Sequence, residues 1–385
     1  MGSLNKRFKV NNCFKRILSV LLVCFFAACG RKEKSPLDIP NEPKKKIEVL
    51  VNRNEVVFRI AHHLAETDKD FARPNPVRDT LEYYFNDYVN HSVINTLQNE
   101  DIGYDDVVSQ WLLHQKEFPD FGNLHNDSIT IQEMELDGYV GIDTLYNRIY
   151  SELYDFYREA NVEKFLNEMD YWYSGAVNEI KRAAAQFDVV QQMEEYCRME
   201  NYRYVVSPEP LFITGGSRGI GPTIYTENGK ICFQFISPSP NIDFQGANYN
   251  PVTMGYGYTD NSYIRTILVH EFGHSFVNLD LSIASNKVFL DEKEHLFTEA
   301  VKEPLKHTGI GDFHTYIVEH IVRLLEVRIA DLYIGAKEAQ ELRDANKAFI
   351  WLPQMEELII SEYESKPDIY KSLDTFIPEF LSVVE

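Results

Sequence analysis

From Thr80 to about His114, and again from Thr144 to Cys197, apolar residues return every three or four positions, the spacing of helices that bury one stripe. Leu81, Tyr84, Val89, Val93 and Leu97 mark one set, Val107 to Leu113 a second, and Leu145, Ile149, Leu153 and Tyr157 a row in the third. Ile47 to Val51 alternates like a short strand, and a helix opening at Asn54 follows through Val56, Ile60, His63 and Leu64. Near Tyr202 the period shortens to two. Tyr202–Val206, Leu211–Thr214, Thr223–Tyr225 and Ile231–Ile236 read as four strands, with Asn228-Gly229 as the hairpin between the last two. Gly215 to Gly221 lacks the Gly-Lys-Ser/Thr ending and following helix of a phosphate loop, so it reads as a flexible turn. Ser237 to Thr259, rich in Pro, Asn, Gly and Tyr, is a long loop that serves as a lid or substrate edge, or is plain irregular surface. Two stretches are apolar around most of a helix: Ile267 to Val277, and Phe313 to Ile334. The pattern predicts an α+β, predominantly helical fold: an N-terminal helical region (47–200), a region with a small, mostly antiparallel sheet (201–340) and C-terminal helices (341–385).

Composition adds a folded chain of 385 residues with 23 Tyr and 24 Phe, long enough for a large core. The formal charge is −21. Residues 1–28 hold five basic side chains and no acid, so the rest carries −26. Such a surface argues against nucleic acid or anionic headgroups as partners. The basic stretch through Lys15-Arg16, the apolar run Ile17 to Phe26 and the small residues Ala27-Ala28 form an export signal, too short to span a bilayer as a mature helix. Phe26-Ala27-Ala28-Cys29 resembles a bacterial lipobox, which makes Cys29 the lipidated first residue, residues 29–46 a polar tether, and the protein a lipid-anchored component of the cell envelope. An ordinary signal peptide cleaved nearby is the alternative. Only Cys197 and Cys232 remain downstream; an oxidising compartment would permit their pairing.

The chemistry concentrates at His270-Glu271-Phe272-Gly273-His274. Histidines four apart stack on one helix face and can bind one metal ion, while the glutamate beside the first reaches a water at an open coordination position. The apolar frame buries that helix; Ser262 and Asp260 offer a start, Asn278-Leu279-Asp280 a stop. Two imidazoles leave a catalytic zinc one protein ligand short. Asp280, ten residues past His270, is one candidate, but Val277 stands where a helix-breaking glycine is needed. On the later apolar helix, Glu319, Arg323 and Glu326 form a polar stripe, and a buried carboxylate must be paired or bind metal. Glu319, 45 residues beyond His274, is the preferred third ligand, with Glu326 its competitor and Arg323 an orienting partner. A metal-free ion-pair network is the plainer reading of that stripe. His62 and His63, being adjacent, point apart and read as ordinary histidines; Glu292, Glu294, Glu299 and Glu303 look solvated.

His270-Glu271-x-x-His274 followed by a glutamate on a later helix resembles the gluzincin group of zinc metallopeptidases. Leu268 to Asn278 with Glu319-x-x-x-Arg323, together with Asn90-His91 and Tyr104-Asp105-Asp106-Val107-Val108, resembles a family of uncharacterised, secreted bacterial peptidase-like proteins, over about residues 47 to 335. The resemblance implies a zincin-like catalytic domain, Zn2+ held by His270, His274 and Glu319, Glu271 as general base, and a peptide or protein substrate. A substrate strand could add to the sheet near Ile231 to Ile236. Tyr256, Tyr258, His314 and His320 stand unranked as oxyanion donors. The rival expectations are an inactive zincin-fold lipoprotein used as a binding or scaffold module, and a metal-free helical envelope protein.

Overall fold

The strands are β1 (Glu48–Val49), β2 (Arg203–Pro208), β3 (Gly219–Ile220), β4 (Thr223–Thr226) and β5 (Gly229–Ile236). The computed structural model describes residues 47–66, 76–125, 130, 142–212, 219–244, 249–282, 284–306 and 308–385, with only the backbone at 142–143, 278–282 and 284–285. The expected leader, Cys29 and the tether lie outside the described residues. No helix among those described is long and apolar enough to cross a membrane.

The sheet is mixed rather than mostly antiparallel. β2 runs parallel to both β1 and β5, while β3 and β4 lie antiparallel on the far side of β5. The helical region between Val49 and Arg203 supplies the long crossover that a parallel pair requires. Only the Asn228-Gly229 turn, where Gly229 takes φ 120°, makes a local hairpin. The strand expected from Leu211 does not form. Glu209 accepts the Leu211 N–H at 2.7 Å and Arg59 donates to the Leu211 carbonyl at 2.6 Å, so side chains take the peptide groups a ladder would use. Residues 213–214 lie outside the described residues.

The N-terminal helices are α1 (Arg53–Ala65), α2 (Pro76–Tyr84), α3 (Ser92–Asn99), α4 (Asp106–Leu113), α5 (Ile142–Glu159), α6 (Val162–Ala184) and α7 (Val189–Cys197). Asn52 caps α1 by accepting from Glu55 N, and Asp105 caps α4 through Val108 N. Asn54, expected to open α1, is instead buried inside it, where its amide binds the carbonyls of Leu112, Gln115 and Lys116 at the end of α4. Phe85, Phe156, Phe165, Trp111 and Trp172 fill the space between these helices, and α6 packs on β1 and β2, so region and sheet belong to one compact unit. Cys197 and Cys232 are both buried free thiols.

Two further helices cross at the centre of the molecule: α8 (Asn261–Ser282) and α10 (Phe313–Tyr333), with α9 (Ala284–Lys293) between them in the chain. Asp260 rather than Ser262 starts α8, accepting from Tyr263 N at 3.1 Å, and the helix runs past the expected stop to Ser282. Leu268, Phe272, Phe276 and Val277 are buried against β5 and α10. Gln234 of β5 donates to Leu268 O, and Lys230 to Ser275 O, which fixes the rotation of α8 on the sheet. After α10, α11 (Ala336–Ala345) and α12 (Leu352–Leu358) brace its outer side, where Arg328 pairs with Asp331, Glu356 and Glu364.

Candidate metal centre

The unbroken helical path of α8 brings His270 and His274 onto one face, with ring centroids 5.1 Å apart and planes at 87°. The opposite wall is α10. Gly273, inside the motif, lies where an added Cβ would sit 3.1 Å from Val322 Cγ1, so the missing side chain lets the two helices approach closely. At that crossing Glu319 reaches across: Oε1 lies 3.4 Å from His274 Nε2, and Oε2 lies 3.7 Å from His270 Nε2. The three ligand atoms fall within 4.8 Å of one another, the only such group of three or more among the described residues. Ligand distances of about 2.1 Å in a tetrahedral site put neighbouring ligand atoms about 3.4 Å apart, which the Glu319 Oε1–His274 Nε2 separation matches and to which the rest of the set would contract around an ion. Glu319 Oε2 is buried without a hydrogen bond of good geometry, and the charges facing it are the Arg323 guanidinium at 3.3 Å and His270 at 3.7 Å.

The other carboxylate of the stripe serves differently. Glu326 Oε1 accepts from His270 Nδ1 at 2.6 Å, on the far side of the ring from Glu319. It therefore stands behind the ligand rather than in the ligand set, and it fixes the tautomer that leaves Nε2 facing the centre. Arg323 sits between the two acids, 3.3 Å from Glu319 Oε2 and 3.4 Å from Glu326 Oε1. Asp280 is excluded by backbone geometry alone. Because α8 continues through it, ten residues of helix place it about 15 Å along the axis from His270. His62 and His63 face Glu66 and Glu82 instead, with His62 Nδ1 3.1 Å from Glu66 and His63 Nε2 3.0 Å from Glu82. Glu292, Glu294, Glu299 and Glu303 are exposed.

Burial pushes the Glu271 carboxyl up to about 6, against the pull of His270 and His274. For His274 burial acts downward, but its hydrogen bond to Glu319 and that carboxylate's charge hold it up at about 9. Glu319 is depressed well below the usual carboxylate range: burial opposes this, and the charge of His270 with the hydrogen bond to His274 overcomes it. The centre thus wants positive charge between the histidines and Glu319, a place that a proton or a metal ion can fill.

Two features of this site had no counterpart in the sequence reading. Gly219 and Gly221, at the end of the segment expected to be a flexible turn, supply its roof. A Cβ on Gly219 would lie 2.4 Å from Glu271 Oε1, and one on Gly221 would lie 2.9 Å from the Glu271 carbonyl oxygen. Glycines two apart in a short strand signal such close approach. Asp106, the first residue of α4, accepts from Gly221 N at 3.0 Å and raises the pKa of both Glu271 and His274 through its charge. The sequence marks it only as part of Tyr104-Asp105-Asp106-Val107-Val108, and its place at the centre depends on a contact that spans 115 residues. Among the expected oxyanion donors, Tyr258 is fully buried and donates to Ile236 O. His320 is equally buried, with Nδ1 on Tyr316 O and Nε2 accepting from Trp351 N. Both are committed to backbone, which removes them. The long loop is fastened by Glu179, which accepts from Tyr256 N and Tyr258 N, and by Tyr256 resting on Gly175.

Residues 69–383 match a family model described as a domain of unknown function (DUF4932). No curated protein and no solved structure matches the chain.

Proposed function

The chain belongs to the DUF4932 family, and from the centre it carries we propose a zinc-dependent hydrolase of peptide bonds, a metallopeptidase of gluzincin type. His270, His274 and Glu319 are its ligands, and the observation that carries the reading is the convergence of their three ligand atoms, all within 4.8 Å of one another, at the crossing of α8 and α10. A zinc ion held there supplies Lewis acidity to a water molecule and to the scissile carbonyl. Glu271 takes the proton of the attacking water and returns it to the leaving amine. Its carboxyl, raised to about 6 by burial, is close in acidity to what a base working near neutrality needs. Glu326 holds His270 in one tautomer and orientation, and Arg323 offsets the second buried carboxylate. Attachment to a cell-envelope membrane through Cys29 belongs to the same proposal and rests on the sequence of residues 1–46.

The edge first expected to take a substrate strand is not an edge. Ile231 to Ile236 is paired on one side with β2 and on the other with β3 and β4. A peptide laid against the sheet near the centre would meet β3 and β4 instead, where Gly219 touches Glu271.

The direct test is zinc analysis of the full chain alongside peptide digestion by wild type and Glu271→Gln. One zinc per chain in both, with cleavage at least about 10³-fold slower in the variant, is the expected result. Equal cleavage by the two proteins refutes the hydrolase. One observation favours the inactive scaffold reading: Glu271 is only 6 % exposed and the ligand side chains 13 %. A zinc-bound protein that cleaves no member of a random peptide library would leave that reading standing.

A further inference from the structure

We infer that Gln234 and Lys230, two residues of β5 outside the ligand set, are positioning residues that set how His270 and His274 are presented to the ion. This role rests on the metal reading of the centre and extends it to the strand on which the ligand helix lies. Lys230 and Gln234 stand four apart in β5 and so share the face of the sheet that meets α8. Gln234 Nε2 donates to the carbonyl of Leu268 at 3.1 Å, and Lys230 Nζ donates to that of Ser275 at 3.0 Å. The two bonds bracket the motif, since Leu268 precedes His270 by two residues and Ser275 follows His274 directly. Ser275 is held a second time through its hydroxyl, which accepts from Asn201 Nδ2 at 2.9 Å.

Packing alone does not call for an amide at position 234. The side chain is 0 % exposed, and its Oε1 is buried without a hydrogen bond of good geometry. A helical carbonyl already accepts from the N–H four residues on, so Leu268 does not need a second donor. Leucine would fill similar space without burying an amide, and a local rule broken in this way marks a functional demand. What the bond supplies is direction. Apolar contacts between α8 and the sheet are non-directional and leave rotation about the helix axis weakly fixed. A rotation of about 10° moves an atom about 6 Å from the axis by about 1 Å, more than a ligand position tolerates. Because Glu319 comes from α10, such a rotation changes its separation from both imidazoles.

Gln234→Leu removes one donor at nearly constant volume. Lys230→Met removes the other and keeps the stem, and Lys230→Arg restores a donor. The full chain of each is titrated with Co2+, whose visible absorption bands report ligand geometry, alongside thermal unfolding of the metal-free protein. Gln234→Leu and Lys230→Met are expected to bind Co2+ about tenfold more weakly and with altered bands, and Lys230→Arg to recover the wild-type spectrum. A merely structural role would shift thermal unfolding and leave the bands as they are. Wild-type bands and affinity in both Gln234→Leu and Lys230→Met overturn the proposal, as does a Lys230→Arg spectrum that follows Lys230→Met. Should Gln234→Leu fail to fold, the two Lys230 variants decide. Wild type that takes up no Co2+ refutes the metal centre and this role with it; Co2+ uptake that neither substitution alters refutes this role alone.

Discussion

Replacing Gly219 with alanine adds a single methyl group, and the structure says where it goes. The new Cβ would lie 2.4 Å from Glu271 Oε1 and 2.5 Å from its Cδ. An ordinary carbon–oxygen contact is about 3.4 Å, so the carboxylate has to retreat by about 1 Å or β3 has to lift off β5. Glu271 is 6 % exposed, but turning its side chain breaks no backbone pairing, whereas lifting β3 breaks its pairing with β5, which makes rotation of the side chain the cheaper response. A displacement of about 1 Å at a reacting group costs about 10²-fold in rate. The prediction is therefore a kcat about 10²-fold lower for Gly219→Ala, with zinc content unchanged because His270, His274 and Glu319 are untouched. Steady-state kinetics on any cleaved peptide, paired with metal analysis, reads both quantities. Gly219→Ala with wild-type kcat would show that Glu271 does not work from the position seen here. Loss of zinc along with activity would mean that the strand moved and the argument about the carboxylate is void.

Glu326→Gln keeps a group that accepts from His270 Nδ1 but removes its charge, and zinc affinity is expected to fall 10- to 100-fold, measured by chelator competition; unchanged affinity would remove Glu326 from the support of His270. Away from the centre, Glu66 is held down at about 2: burial opposes this, and the hydrogen bonds from His62 and His63 with the charge of Arg59 overcome it. A depressed carboxylate stabilises the fold fully above its unfolded pKa near 4.5 and loses that contribution as pH falls toward 2. At 15 % side-chain exposure the shift corresponds to at most ~3 kcal/mol. Glu66→Gln should lose about that much at neutral pH and flatten the acid limb between pH about 4.5 and 2 in denaturant titrations, whereas parallel acid limbs for the two proteins would refute the assignment.

The parts of this molecule that could be read in the sequence are those whose evidence is local. His270 and His274 stand four apart on one helix, and Glu319 declared itself because a carboxylate on an otherwise apolar helix needs a partner. The helical region was legible for the same reason, since its apolar stripes repeat within a turn or two. What escaped depends on residues far apart in the chain. Arg59 takes the Leu211 carbonyl across 152 residues and so removes the peptide group with which an expected strand would open. Asp106 meets Gly221 across 115, and β1 pairs with β2 only after a long helical excursion. No window of a dozen residues contains those partners.

The glycines of the roof are the intermediate case, because their spacing was visible while its meaning depended on what lay beneath. Gly215 to Gly221 lacks the Gly-Lys-Ser/Thr ending and the following helix of a phosphate cradle. The remaining use of paired glycines is to bring backbone against something bulky, and the bulky object is the Glu271 side chain. This matters for the charge balance of the centre. Glu271, Glu319 and Glu326 are all at most 13 % exposed, yet among the described residues Arg323 is the one fixed cation paired with two of them. Three buried carboxylates against one guanidinium leave two negative charges to be met, by protons on His274 and Glu271 or by a divalent ion. A structural ion-pair network would be expected to come nearer to balance with side chains, as Arg328 and Arg343 do against Asp331, Glu356 and Glu364 on the outer face of α10. The unmatched negative charge at the crossing of α8 and α10, and not the motif by itself, is the stronger physical argument for the proposed metal.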